Sequence, residues 1–196
     1  MSQTGVILLA AGASTRFGSD KRLAVINGKT CQQPMMLATL EQIGHSGLPV
    51  FVVLRPGDEY WENALNEREV EWGTCPEAAL GMGHSLAFGV HATQHWQHWL
   101  IALADMPYIQ ASTYRAIATA LEEHPIVRPV FKYPASGASE VGHPVGFQQR
   151  FACELMECDG DAGARGLLQR HQALVHLLPV QDAGIRIDVD QPSGLQ

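Results

Sequence analysis

Two short segments concentrate residue types that handle phosphate. The first is LAAGASTRFGSDK at 9–21, where Gly12, Gly18 and small neighbours follow an apolar run. Small residues after a buried strand let backbone N–H groups turn toward an anion without side-chain obstruction. Arg16 adds a rigid donor fork and Lys21 a point charge, a pairing matched to a polyphosphate. The spacing is not that of a P-loop, because five residues separate Gly12 from Gly18 and Lys21 does not follow a glycine. The second segment is Asp105-Met106-Pro107, at the end of another apolar run. A carboxylate there, facing a basic loop, suits Mg²⁺ bridging nucleotide phosphates. Taken alone, each segment also fits a solvated turn.

Three further segments offer weaker signals. GMGHSL at 81–86 falls short of G-x-G-x-x-G because Leu86 takes the last glycine position, which disfavours a dinucleotide site. Gly81, Gly83 and Ser85 would still open a helix whose first amides and dipole favour a nucleotide. GHPVGF at 142–147 presents the His143 imidazole on a turn fixed by Pro144, for which a structural histidine is the default. Asp188 and Asp190 would share one face of a strand by period two, making one of them a candidate second metal ligand. His91, His95 and His98 beside Trp96 and Trp99 have no acidic or cysteine partner nearby and are better explained as packing at a helix end. No G-x-S-x-G elbow surrounds a serine, so a hydrolase triad has no support.

The elements that must position these residues alternate. Apolar runs at 6–11, 50–54 and 99–104 predict strands buried on both faces. Shorter strands are expected at 70–72, 126–131, 144–147, 174–178 and 185–189. Helices are expected at 35–43, 58–66 with Asp58 as N-cap, 84–96, 112–123 capped by Ser112, and 163–171. A polar loop is expected at 134–142. Such alternation implies an α/β fold with a mostly parallel sheet covered on both faces. Ligands of these sheets bind beyond the carboxyl ends of the strands, at the switch in strand order. Both phosphate-handling segments fall at strand ends.

Composition narrows the rest. The chain has 196 residues, fitting one domain, and 46% hydrophobic against 17% charged residues excludes disorder as the dominant state. Its net charge of −7 argues against a protein that coats nucleic acid or an anionic membrane. An anion must therefore be gripped locally. The four cysteines form no C-x-x-C pair, which disfavours a zinc site or a disulfide framework. The beginning of the chain has no basic region before its short apolar run, so the expected location is the cytoplasm.

These segments together resemble the MobA-like nucleotidyltransferase superfamily, and within it the molybdenum cofactor cytidylyltransferases (MocA-like). LAAGASTRFGSDK, GMGHSL, ADMP at 104–107, GHPVGF, GDAGARGLL at 160–168 and DVDQP at 188–192 occur in that family's order across nearly the whole chain. Asp20 departs from the pattern by standing where a proline is usual. The resemblance implies a single Rossmann-like, three-layer α/β domain over residues 1–196. It implies transfer of CMP from CTP to molybdopterin-bound molybdenum cofactor with release of pyrophosphate. Asp105 would hold Mg²⁺, with Asp190 the second ligand, and Arg16 and Lys21 would sit on the triphosphate. Leu9, Ala10, Ala11 and Gly12, with Gly81, Gly83 and Ser85, would hold base and ribose. His143 and Pro144 would face a phosphorylated pterin, and a molybdoenzyme or its maturation chaperone is an implied partner. Two alternatives stand beside this one: transfer to another phosphorylated acceptor, such as a sugar or small phosphate, and a non-catalytic accessory role in molybdoenzyme maturation.

Overall fold

The computed structural model describes residues 3–12, 20–27 and 32–189. Arg16 and Asp190, two of the expected site residues, lie outside that set. The apolar runs become the centre of the sheet: β1 (Thr4–Leu9), β4 (Val50–Leu54) and β6 (His98–Leu103) are adjacent and parallel. β5 (Glu71–Thr74) extends this parallel set beyond β4. On the other side β9 (Val145–Gln148) runs antiparallel to β6, followed by β7 (Ile126–Lys132) and β10 (Val175–Val180). The order is β10-β7-β9-β6-β1-β4-β5, with β8 (Ser139–Val141) paired to β7. A separate hairpin joins β2 (Val25–Asn27) to β3 (Gln32–Pro34).

The period-two alternation of a strand explains why the central runs are apolar without interruption. Val6 and Leu8 face one way with Val52, Leu54, Leu100 and Ala102, under α1 (Met35–Gly44), α2 (Glu59–Asn66) and α4 (Ala111–Ala120). Ile7 and Leu9 face the other way with Phe51, Val53, Trp99 and Ile101, under α3 (Met82–Ala92), α5 (Ala152–Met156) and α6 (Arg165–Arg170). Full burial of each such side chain contributes roughly 1.5–3 kcal/mol. The result is the expected three-layer, Rossmann-like arrangement. β4 and β6 flank β1 on opposite sides, so the chain segments leaving β1 and β6 diverge. A reversal of this kind is a switch point, beside which ligands of open α/β sheets bind.

Five expectations are corrected, the first being the polar loop at 134–142, whose Ser139–Val141 form β8. Residues 185–189 are not a strand: Ala183–Arg186 form a 3₁₀ turn, and Val189 donates its N–H to the Asp105 carbonyl (3.0 Å). The period-two argument for Asp188 and Asp190 therefore falls. The cause is Asp182, whose carboxylate accepts from the Gly184 and Gln110 amides and from the Thr113 hydroxyl, pinning the turn to the start of α4. That long-range carboxylate also replaces Ser112, whose side chain makes no cap bond. Asp58 does sit at the N-cap of α2 but makes no cap bond either, because its carboxylate is engaged elsewhere. Finally α3 stops at Ala92, four residues early. Thr93 bonds back to the Gly89 carbonyl and accepts from the Trp99 indole, while Trp96 turns into the core beneath Gly5. The tryptophans beside the histidines are thus packing, as expected.

Candidate functional site

β1 and β6 deliver their following residues to the same rim. Ala10 continues the ladder by donating to Val53, and Ala104 donates to the Leu9 carbonyl (3.1 Å). Leu9, Ala10 and Ala11 are buried, so what they offer a ligand is backbone and small surface. Gly12 differs: a side chain there would meet nothing within 4 Å, and its carbonyl accepts from Arg55 (2.8 Å). After β6, Thr39 of α1 donates to the Ala104 carbonyl and Val189 to that of Asp105. Both ends of the turn are fixed. The Asp105 side chain is thereby aimed at Lys21, which pairs with its Oδ2 across 84 residues of sequence.

The second Asp105 oxygen is the informative atom. Oδ1 is buried and has no hydrogen-bond partner among the described residues. A buried carboxylate oxygen with unused lone pairs is a hard anionic donor, and it fits a divalent cation such as Mg²⁺ or Mn²⁺. Among the described residues no three His, Cys, Asp or Glu side chains converge on a metal position. A cation held at Asp105 would take most of its ligands from phosphate oxygens and water, the usual pattern for Mg²⁺ with a nucleotide. Asp190, the other expected ligand, lies outside the described residues.

What fixes the backbone beside Lys21 was missed in the sequence. Arg22 is buried and forks onto both oxygens of Asp58 (2.5 and 2.6 Å) and both of Asp20 (2.6 and 2.8 Å). Its Nη1 also donates to the Ala10 carbonyl (2.8 Å), tying the knot to the end of β1. Burial acts to lower the Arg22 pKa, but the hydrogen bonds and charges of Asp58 and Asp20 outweigh it and raise it above the ordinary value. Burial likewise acts to raise Asp20, and the bonds and charge of Arg22 bring it below the usual carboxylate value. Asp20, the departure from the family's proline, thus caps the 3₁₀ turn Lys21–Leu23 and anchors Arg22. Lys21 therefore starts from a fixed backbone position. Two acids placed around one arginine gave no signal in the sequence, because Asp58 is 36 residues from Arg22.

The glycine motifs meet one another. The Gly83 amide donates to the Gly160 carbonyl (2.7 Å), and a Cβ at Gly81 or Gly83 would overlap the backbone of Gly160 or Asp159. GMGHSL and GDAGARGLL are therefore two sides of one close contact at the start of α3. Of the amides expected there, that of Gly83 is spent inside the fold. Ser85 is buried in the same turn of helix.

His143 lies at the same rim, because β9 runs antiparallel and begins where its neighbours end. Its amide donates to the Ile185 carbonyl (2.9 Å), and its peptide bond to the buried Pro144 is cis. Burial pushes the imidazole below the ordinary histidine value, the Arg128 charge adds to this, and the Ile101 carbonyl and Asp105 oppose it. The ring is neutral at neutral pH. His143 borders an open cleft of about 590 Å³, which Leu103, Met106, Arg128, Arg186 and Asp188 also line. Leu103 and Met106 flank Asp105, so the cleft adjoins the Lys21–Asp105 pair. Arg128 was overlooked because it stands within a predicted apolar strand; a lone arginine in such a run was the available signal.

Comparison with known proteins agrees with this fold. The family model described as the MobA-like NTP transferase domain matches residues 6–175. Rv0371c from Mycobacterium tuberculosis superposes with a TM-score of 0.80 at 23% identity, covering 98% of this chain and 95% of that one. A structure of the same protein is a complex with manganese. The nucleotidyl transferase Mth528 from Methanothermobacter gives 0.76 at 19% identity, covering 98% and 94%. A CMP:2-keto-3-deoxy-manno-octonic acid synthetase complexed with CTP gives 0.74 at 13% identity, covering 98% and 95%.

Proposed function

The chain belongs to the MobA-like NTP transferase family and is a nucleotidyltransferase; from that premise we propose that it transfers CMP from CTP to molybdopterin-bound molybdenum cofactor and releases pyrophosphate. The observation that carries this reading is the pairing of Lys21 with Asp105 at the switch point, with one Asp105 oxygen left buried and unpartnered. The extent of the motif resemblance favours the cytidylyl-transferring branch, and one structural neighbour was solved with CTP.

In this reading an ionised phosphate oxygen of the acceptor attacks the α-phosphorus of CTP in line with the departing pyrophosphate. A phosphate monoester is already largely ionised near neutral pH, so no general base is required. The protein positions two anions and absorbs their charge. Lys21, joined by Arg16, neutralises the triphosphate, and backbone from Leu9 to Gly12 with the Gly81–Ser85 turn receives base and ribose. Asp105, with Asp190, would hold Mg²⁺, which when bound offsets charge building on the phosphate oxygens. His143 and Pro144 form part of the wall on the acceptor side. Asp105 cannot pair fully with Lys21 and hold a cation equally well, so nucleotide entry draws Lys21 toward phosphate.

A pyrophosphate-release assay crossing CTP, GTP, ATP and UTP with molybdopterin tests the proposal. Release is expected with CTP and molybdopterin together. Release with CTP and a phosphosugar but not with molybdopterin would reassign the acceptor. Nucleotide binding without release for any pairing would favour the accessory role.

A further inference from the structure

The arginines of this molecule differ in how their charge is answered. Arg22 has two carboxylates, and Arg186 donates to Glu140 (2.9 Å) while lying over the Tyr133 ring (4.6 Å to its centre). Arg128, half-buried on β7, has neither a carboxylate nor an aromatic face among the described residues: its Nε, like that of Arg186, is buried without a hydrogen-bond partner, and burial lowers its pKa with no carboxylate opposing. A guanidinium is always charged, and leaving one desolvated and unanswered is costly. Such a group is retained where a ligand supplies the anion.

Arg128 lines the cleft beside Asp105. Of the other cationic groups there, Arg186 is neutralised by Glu140 and His143 is held uncharged. We propose that Arg128 anchors the phosphomonoester group of the acceptor in this cleft, through its planar donor fork, and so orients the attacking oxygen toward the Lys21–Asp105 pair. This rests on the nucleotidyl-transfer reading and adds to it the residue that selects the acceptor. A phosphomonoester is the matching ligand because two of its oxygens can meet the planar donor fork at once, and its greater charge gains more from Arg128 than a carboxylate's does, while the bordering Glu140 is already engaged by Arg186.

The test is calorimetric titration of the whole protein with methyl phosphate, with acetate as the carboxylate comparison and CTP with Mg²⁺ as the control. Arg128→Met is expected to weaken methyl phosphate binding by about tenfold or more, the loss of a charge-assisted pair. Lys21→Met should change it by less than about twofold, since that cation serves the other substrate. CTP affinity should be unaltered in Arg128→Met. If that variant does not fold, the side-chain Nε–H resonance of Arg128 in the unaltered protein, assigned by its absence in Arg128→Lys, should move downfield on adding methyl phosphate. Methyl phosphate binding that is undetectable or indifferent to Arg128, a still Nε–H resonance, or acetate binding as tightly would each overturn the proposal. Failure of CTP to bind the unaltered protein would instead strike at the nucleotidyl-transfer reading itself.

Discussion

Two charged regions begin at adjacent residues, Arg22 and Lys21, and behave oppositely. In the Arg22 knot every guanidinium edge meets a carboxylate or carbonyl, Arg55 adds a second cation to Asp58 (3.3 Å), and the Trp61 indole donates to Asp20 (3.4 Å). At the rim, Lys21 answers half of the Asp105 carboxylate, and Arg128 answers nothing among the described residues. A closed network of buried charges fixes a backbone, because removing any member strands the rest. An open one stays available. The molecule thus spends Arg22, Asp20 and Asp58 on fixing the backbone on both sides of Lys21, whose own side chain reaches Asp105 instead.

The strongest way to break this contrast is Arg22→Met. It leaves Asp58 and Asp20 unpaired and should cost about 3–5 kcal/mol of stability, read from the midpoint of chemical denaturation. A loss near zero would mean that the knot is not structural. Lys21→Met should do the reverse: turnover falls by about a hundredfold or more, while the melting temperature moves only by about 2–4 °C, as for ~1 kcal/mol. Equal turnover would remove Lys21 from the machinery.

Glycines sharpen the same division. Gly83→Ala forces a Cβ into the Asp159 carbonyl and should destabilise by about 1–3 kcal/mol. Gly12→Ala enters open space and should stay within about 0.5 kcal/mol. If Gly12 approaches the nucleotide, its variant loses CTP affinity with stability intact; retained affinity would take Gly12 out of the binding surface. The smallest effect concerns pH. His143 is depressed in the folded state relative to its ordinary value of 6.5, so the unfolded chain binds the proton first. Its contribution is present above about pH 6.5 and is lost as pH falls through the folded-state value, with a slope below about 1.4 kcal/mol per pH unit. Denaturation at several pH values should show a shallower acid decline in His143→Gln.

The sequence made the sheet legible because its central strands are buried on both faces: 6–9, 50–54 and 99–103 are short runs apolar at consecutive positions, as a covered sheet requires. Asp105 and Lys21 were legible because they close a strand and a glycine-rich segment. What was hidden depends on distant partners. Asp182 serves the start of α4 from 72 residues away, and Asp58 serves Arg22 instead of its own helix. Residues 185–189 looked like a strand from β-branched Ile185, Ile187 and Val189, yet Asp182 and the close pass of Gly184 beneath the Tyr108 carbonyl fold them into a turn. Local pattern gives propensity; tertiary carboxylates decide where it is overruled.

The most direct measurement compares pyrophosphate release by Asp105→Asn and by the unaltered protein, with CTP, Mg²⁺ and molybdopterin, at a temperature where both are folded. An amide keeps the shape but loses the charge, so release should fall by about a hundredfold or more with the unfolding midpoint nearly unmoved. Release at the unaltered rate, in a folded Asp105→Asn protein, would contradict the assignment of this rim as the reacting site.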